Sequence, residues 1–74
     1  SEIMEDWMYD QYTEKYVMDK DMQKWLKEVN PWALDRMINT LLEAHQRGMW
    51  NAKEDTIEEL KKMMLEIEGE LEED

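Results

Sequence analysis

The chain has 74 residues, of which 20 are acidic and 9 basic, and its formal charge at pH 7 is −11. Such a surface repels phosphate backbones and anionic lipid headgroups, which argues against nucleic-acid and membrane partners and favours neutral or basic protein surfaces. The chain contains no cysteine, which excludes a disulfide framework and a thiolate metal site and is compatible with a reducing cytoplasm.

The hydrophobic residues suffice for a small core but not for a membrane span. Four Trp, three Tyr and eight Met supply large apolar groups, so the composition predicts a folded chain despite its high charge. The apolar runs are far shorter than the roughly 20 residues that cross a bilayer. The acidic N-terminus does not resemble a signal peptide. We therefore expect a single cytoplasmic domain over residues 1–74.

Helices are predicted throughout, because the chain has two Gly, one Pro and few β-branched residues. The first helix is predicted over about residues 4–17. Its apolar face comprises Met4, Trp7 or Met8, Tyr12 and Tyr16. Asp19 is the predicted N-cap of a second helix over about residues 20–29. The large apolar residues of that helix are Met22, Trp25, Leu26 and Val29.

The third helix has the clearest start and stop signals. Asn30 is a favoured N-cap and Pro31 is favoured at the first helical position, which also ends the second helix just before them. Gly48 supplies a left-handed C′ residue and Arg47 favours the negative end of the helix dipole, which predicts a helix over about residues 31–47. Its broad apolar face comprises Ala33, Leu34, Met37, Ile38, Leu41, Leu42 and His45.

The last helix is predicted over about residues 53–70, after Met49 or Trp50 has folded back on the preceding turn. Two capping boxes could open it: Asn51 with Glu54, or Asp55 with Glu58. Its packing seam, with steps of three and four residues, comprises Ile57, Leu60, Met64, Ile67 and Leu71. The acidic tail at 66–74 is expected to fray in solvent. The predicted fold class is all-α, a small bundle of three to four helices.

Few residues could perform chemistry. One His, one Ser and no Cys exclude the usual nucleophilic triads. His45 beside an apolar face is more typical of a packing or surface residue than of a zinc ligand. Asp19 and Asp21 resemble the start of a calcium loop. However, Gln23 and Lys24 stand where that loop needs a further oxygen donor and a glycine. We assign no catalytic, cofactor-binding or metal-binding residue to this segment.

The remaining residue types have structural interpretations as well. The many carboxylates are typical of a solvated acidic face, and the methionines of adaptable core packing rather than of soft-metal binding. Trp7 and Trp25 stay open between two interpretations, the core and an apolar patch that docks on a partner.

Residues 30–50, NPWALDRMINTLLEAHQRGMW, resemble a segment near the C-terminus of the aerobic cobaltochelatase large subunit, CobN. They resemble the porphyrin-binding large subunit of magnesium chelatase more distantly. The shared pattern is Asn-Pro-Trp-Ala at 30–33, Leu-Leu-Glu-Ala at 41–44 and Arg-Gly-Met-Trp at 47–50. The flanking segments 6–29 and 56–73 are similar to the family as well. One departure is the Lys53-Glu54 pair, where the family often has Pro.

The resemblance implies that the chain is the C-terminal helical domain of a much larger subunit, with a structural role. That subunit would insert a divalent metal, cobalt or magnesium, into a corrin or porphyrin ring in cobalamin or related tetrapyrrole biosynthesis. ATP would be hydrolysed on AAA+ partner subunits. The family's metal- and ring-handling residues lie upstream, so none is assigned here. The alternatives are a free-standing acidic helical module that binds a partner protein, and a small metal-binding protein.

Overall fold

The computed structural model describes residues 11–72. Within this range the chain forms four α-helices, which are α1 Gln11–Met18, α2 Lys20–Val29, α3 Pro31–Gln46 and α4 Glu54–Glu72. These residues include no strand, so the predicted all-α class is confirmed. The first predicted helix began at about residue 4. Its apolar residues Met4, Trp7 and Met8 lie outside the described part of the chain.

Asp19 separates α1 from α2 and caps α2. Its side chain accepts hydrogen bonds from the backbone N–H groups of Asp21 and Met22, at 2.9 and 3.2 Å. These are two of the donors that the first turn of a helix leaves unpaired, so the predicted N-cap is confirmed. The side-chain amide of Gln23 donates to the Val17 carbonyl, which ties the end of α1 to the start of α2.

Asn30 closes α2 and opens α3. Its backbone N–H donates to the Leu26 carbonyl at 2.7 Å, and its side-chain oxygen accepts from the Ala33 N–H at 3.2 Å. Pro31 occupies the first helical position, where an N–H group would have no helical partner. The predicted N-cap at Asn30 and the predicted first-position proline at Pro31 are both confirmed.

The C-terminus of α3 folds back on itself. Gly48 has a φ of 77°, and its N–H donates to the His45 carbonyl at 3.1 Å. The Met49 N–H donates to the Ala44 carbonyl at 2.8 Å. This pair of bonds is the Schellman motif, so the predicted C′ glycine is confirmed. Of the two residues expected to fold back, Trp50 is the buried one.

The start of α4 differs from both predicted capping boxes. The helix begins at Glu54, and the Lys53 carbonyl accepts from the Ile57 N–H at 3.1 Å. Lys53 therefore holds the N-cap position, and neither Asn51 nor Asp55 does. Ile57 in the first turn is buried, so the start of α4 is packed against the core.

The predicted acidic tail is also ordered for longer than its composition suggests. α4 remains helical to Glu72, so the fraying predicted at 66–74 is wrong for the described part of that range. Ile67 is buried and Leu71 packs against the core. Burial of these two side chains stabilises a helix end that its like charges alone would weaken.

α3 is the central helix, because α1, α2 and α4 all pack against it. The predicted seam of α4 is confirmed, since each of its members is either buried or half-buried against the core. The buried core comprises Val17, Leu26, Leu34, Ile38, Leu41, Leu42, Ala44, Trp50, Ile57, Leu60 and Ile67.

The apolar face predicted for the first helix is wrong in its described part. Tyr12 is 74% exposed and Tyr16 is also exposed, whereas Val17 is fully buried. Because α1 contacts both α2 and α3, the compact Val17 side chain fits the space between the helices and the larger rings stay outside. In α2, Leu26 is the buried member of the predicted face.

Candidate functional site

His45 lies in the last turn of α3 and is half-buried. Its Nδ1 lies 3.1 Å from the Trp50 carbonyl oxygen, and the two rings meet edge to face, with centroids 6.5 Å apart. A carbonyl oxygen can only accept, so Nδ1 is the donor and carries the hydrogen. This contact fastens the segment after the Schellman turn to α3, which gives His45 a packing role and supports the interpretation made from the sequence.

The residues considered as metal ligands are not brought together. Among residues 11–72 no group of three or more His, Cys, Asp or Glu side chains could hold a metal ion. Asp19 and Asp21 do not form a calcium loop, because the chain is helical from Lys20 onward and the Asp19 carboxylate accepts from the N–H groups of that helix. The geometry of Asp19 and Asp21 is that of a helix start.

Three exposed apolar side chains lie in the second half of α2 and the first turn of α3. Trp25 is 54% exposed, Val29 61% and Trp32 62%. Trp25 and Val29 are four residues apart and share one face of α2. For Trp25 the core interpretation is therefore wrong, and the interpretation as part of an exposed apolar patch remains. Trp7 lies outside the described residues.

The exposure of Trp32 was missed at the sequence level, although the spacing contained a signal. Residues separated by two positions in a helix lie about 200° apart around its axis. Trp32 therefore lies nearly opposite Leu34, which is buried. We call Trp25, Val29 and Trp32 the α2–α3 patch.

A groove of about 600 Å³ runs between α3 and α4. Asn39, Glu43 and Gln46 form its edge on α3, and α4 supplies the opposite edge. The α4 residues of that edge are Glu54, Glu58, Lys61 and Leu65, and apolar lining comes from Leu42, Ile57 and Met64. His45 also lines the groove. No motif in the sequence indicated it, because its two edges come together only in the folded chain.

Two ion pairs connect α2 with α4. Lys20 Nζ lies 2.7 Å from Glu59 Oε1, and Lys27 Nζ lies 3.3 Å from Glu70 Oε2. The hydrogen bond from Lys20 and its positive charge hold the pKa of Glu59 below the ordinary value of 4.5. All four side chains are exposed, so solvent screens both pairs and each contributes little to stability.

The helices of the described residues show no membrane-spanning character. None of them combines the length and the hydropathy that a bilayer crossing requires.

Comparison with known proteins identifies the family. The family model described as CobN/Magnesium Chelatase matches residues 1–57. The chain belongs to the CobN/magnesium chelatase family. The resemblance to this family, drawn from the Asn-Pro-Trp-Ala, Leu-Leu-Glu-Ala and Arg-Gly-Met-Trp motifs, is therefore confirmed. The expectation that magnesium chelatase is the more distant match is wrong for the relatives below, of which the magnesium-chelatase protein is 39% identical and the CobN protein 31%.

Individual relatives match almost the whole chain. A Methanocaldococcus jannaschii protein, MJ0908, is 55% identical over 99% of the chain. The magnesium-chelatase H subunit of Chlorobaculum parvum is 39% identical over 93% of it. The aerobic cobaltochelatase protein CobN of Pseudomonas aeruginosa is 31% identical over 95% of it. The chain spans only 5–6% of the length of these relatives. No solved structure is significantly similar to the chain.

Proposed function

We propose that the chain is the C-terminal helical domain of a metal-chelatase large subunit. That subunit would insert cobalt or magnesium into a corrin or porphyrin ring during cobalamin or related tetrapyrrole biosynthesis in the cytoplasm. AAA+ partner subunits would hydrolyse ATP to drive the insertion. The observation that carries the proposal is the family match over residues 1–57, together with magnesium-chelatase and CobN relatives that align with more than nine-tenths of the chain.

The role of the segment itself is structural, in that it covers and braces the larger body of the subunit. The α2–α3 patch supports this role, because its three apolar side chains are each more than half exposed on an otherwise acidic chain. Trp25 and Val29 are neighbours on one face of α2, and neighbouring exposed apolar groups mark contact surfaces. The marked features of α3 also have structural causes: Asn30 caps it, Pro31 starts it and Gly48 ends it.

Deletion of the segment from the parent subunit tests the structural role. The deleted subunit should give less soluble protein, because the surface that the segment covers becomes exposed. The matched point variant is His45→Gln in the full subunit, which should keep metal insertion within a few-fold of wild type. A correctly folded His45→Gln subunit that loses insertion by roughly 10²-fold, the scale of a lost general acid or base, would refute the structural role.

A free-standing acidic module that binds a partner protein is the second candidate. The α2–α3 patch on a chain of charge −11 favours it too. The parent reading frame separates the two candidates. We expect it to continue far upstream of Ser1, and a start codon at this point would favour the module.

A further inference from the structure

The groove between α3 and α4 has the dimensions of a helix-binding surface. Its α4 edge runs from Glu54 to Leu65, which is about three helical turns and about 16 Å long. Leu42 and Ile57 are almost completely buried beneath it, Met64 is half-buried, and Leu65 is 69% exposed. The groove thus has an apolar floor and an apolar side chain standing in solvent at one end.

The charges along the groove are unevenly distributed. Glu43 on α3 and Glu54 and Glu58 on α4 line it, against one cation, Lys61. Glu54 and Glu58 lie at the start of α4, and Glu43 lies in the C-terminal part of α3, so the carboxylates gather at the end where the α3–α4 connection lies. Leu65 lies at the other end.

We propose that this groove binds a cationic amphipathic α-helix from the remainder of the large subunit. The apolar side of that helix would cover Met64 and Leu65, and its Arg or Lys side chains would pair with Glu54 and Glu58. An amphipathic helix in an apolar groove is a recurrent mode of protein recognition. The charge complementarity adds specificity, because an acidic helix would be repelled from the same edge.

The source of the helix follows from the size of the relatives. Because the chain spans only 5–6% of their length, a parent of similar size would hold most of its sequence elsewhere in the same polypeptide. An intramolecular partner binds at a high effective concentration, so a surface as short as this groove suffices. This source rests on the proposed function, whereas the chemistry of the groove does not.

Peptide binding to the 74-residue chain tests the groove. The probe is a fluorescein-labelled synthetic helix of about four turns, with leucines along one face and arginines near one end, and the readout is fluorescence anisotropy. We expect saturable binding. Two control peptides should bind much more weakly: a scrambled peptide of the same composition whose leucines no longer share a face, and a peptide with glutamate in place of each arginine.

Matched variants locate the binding surface. The double variant Glu54→Gln/Glu58→Gln should weaken binding about three- to tenfold, the loss expected for two exposed charge pairs. Glu68→Gln/Glu72→Gln makes the same charge change on the same helix outside the groove, and should change binding less than about twofold. Leu65→Ser should also weaken binding, whereas Val29→Ser on the α2–α3 patch should not.

Three results would overturn the groove assignment: no saturable binding of the cationic probe, equal binding of the scrambled peptide, or equal loss in the two Glu→Gln double variants. Overlapping synthetic peptides that cover the rest of the parent subunit test the source. At least one cationic amphipathic peptide should bind and should lose affinity with Glu54→Gln/Glu58→Gln. If none binds, the assigned source is wrong. A start codon immediately upstream of the Ser1 codon would instead refute the proposed function. It would not affect the result obtained with the synthetic peptide.

Discussion

The helices α1 and α2, which we call the front pair, bury one hydrophobic side chain each among the residues whose burial the structure describes, Val17 and Leu26. The helices α3 and α4, the rear pair, bury five and three. The large exposed hydrophobic residues show the opposite distribution. Those of the front pair are Tyr12, Tyr16, Met18, Trp25 and Val29, and those of the rear pair are Trp32 and Leu65.

This difference shows that apolar content does not decide burial; position in the bundle does. α3 is covered by all three of the other described helices, so its apolar stripe is buried along most of its length. The front pair buries Val17 and Leu26 against its neighbours, and its larger rings remain in solvent. We therefore expect the rear pair to carry the stability of the isolated chain and the front pair to carry a contact surface.

The largest expected effect compares two tryptophans. Trp50, in the connection between the two helices of the rear pair, is 8% exposed and packs against His45 of α3, whereas Trp25 is 54% exposed on the front pair. Trp50→Ala should therefore lower the free energy of unfolding by roughly 3–5 kcal/mol. Trp25→Ala should cost less than about 1 kcal/mol. Urea unfolding of the two variants measures both values, and similar losses would remove the distinction between the pairs.

A second comparison stays within α4. Leu60 is almost fully buried and Leu65 is 69% exposed. Leu60→Ala should cost roughly 2–5 kcal/mol, because it leaves a cavity in the seam against α3. Leu65→Ala should change stability by less than about 0.5 kcal/mol. Thermal unfolding followed by far-UV circular dichroism measures the shift in midpoint temperature of each variant. Equal shifts would mean that α4 is not docked and that the first three helices form the core alone.

The boundary between the pairs gives a smaller effect. Asn30→Ala should cost about 1 kcal/mol through the lost cap of α3, and Asn30→Gly only a few tenths. Gly48→Val should cost at least as much as Asn30→Ala, because a β-branched residue resists the φ of 77° at that position. A Cβ added at Gly48 meets no atom within 4 Å, so the cost comes mainly from the backbone conformation. Chemical denaturation that shows no loss in either variant would place the ends of α3 elsewhere.

The smallest effect concerns the link between α2 and α4. The pKa of Glu59 is lowered by Lys20 in the folded state, so this pair stabilises the fold above the unfolded-state pKa, and the contribution is lost as the pH falls through the folded-state pKa. The stability difference between wild type and Glu59→Gln should therefore shrink as the pH falls below about 4.5. A difference that is constant between pH 7 and pH 3 would show that the pair is not formed in solution.

Many of the helix ends and their capping residues could be predicted from the sequence. The roles of Asp19, Asn30 and Gly48 depend on hydrogen bonds and dihedral angles within a few residues. The identities of the adjacent residues are therefore enough to predict them. The start of α4 could not be predicted in this way, because Asn51 and Asp55 offered equally good caps and Lys53 holds the position instead. The groove could not be predicted either, because Glu43 and Glu58 are brought to one surface only by the packing of α3 on α4.

The sequence by itself determined the helical class, the family, the limits of α2 and the caps of α3, because each depends on local chemistry or on a linear motif. The tertiary structure alone decided which side of α1 is buried, how far α4 remains helical, and which apolar groups stay exposed. The reason is that the apolar stripe on a helix is wider than the part of it that packs against the neighbouring helices. Only the neighbouring helices select Val17 over the tyrosine rings and leave Trp25 in solvent.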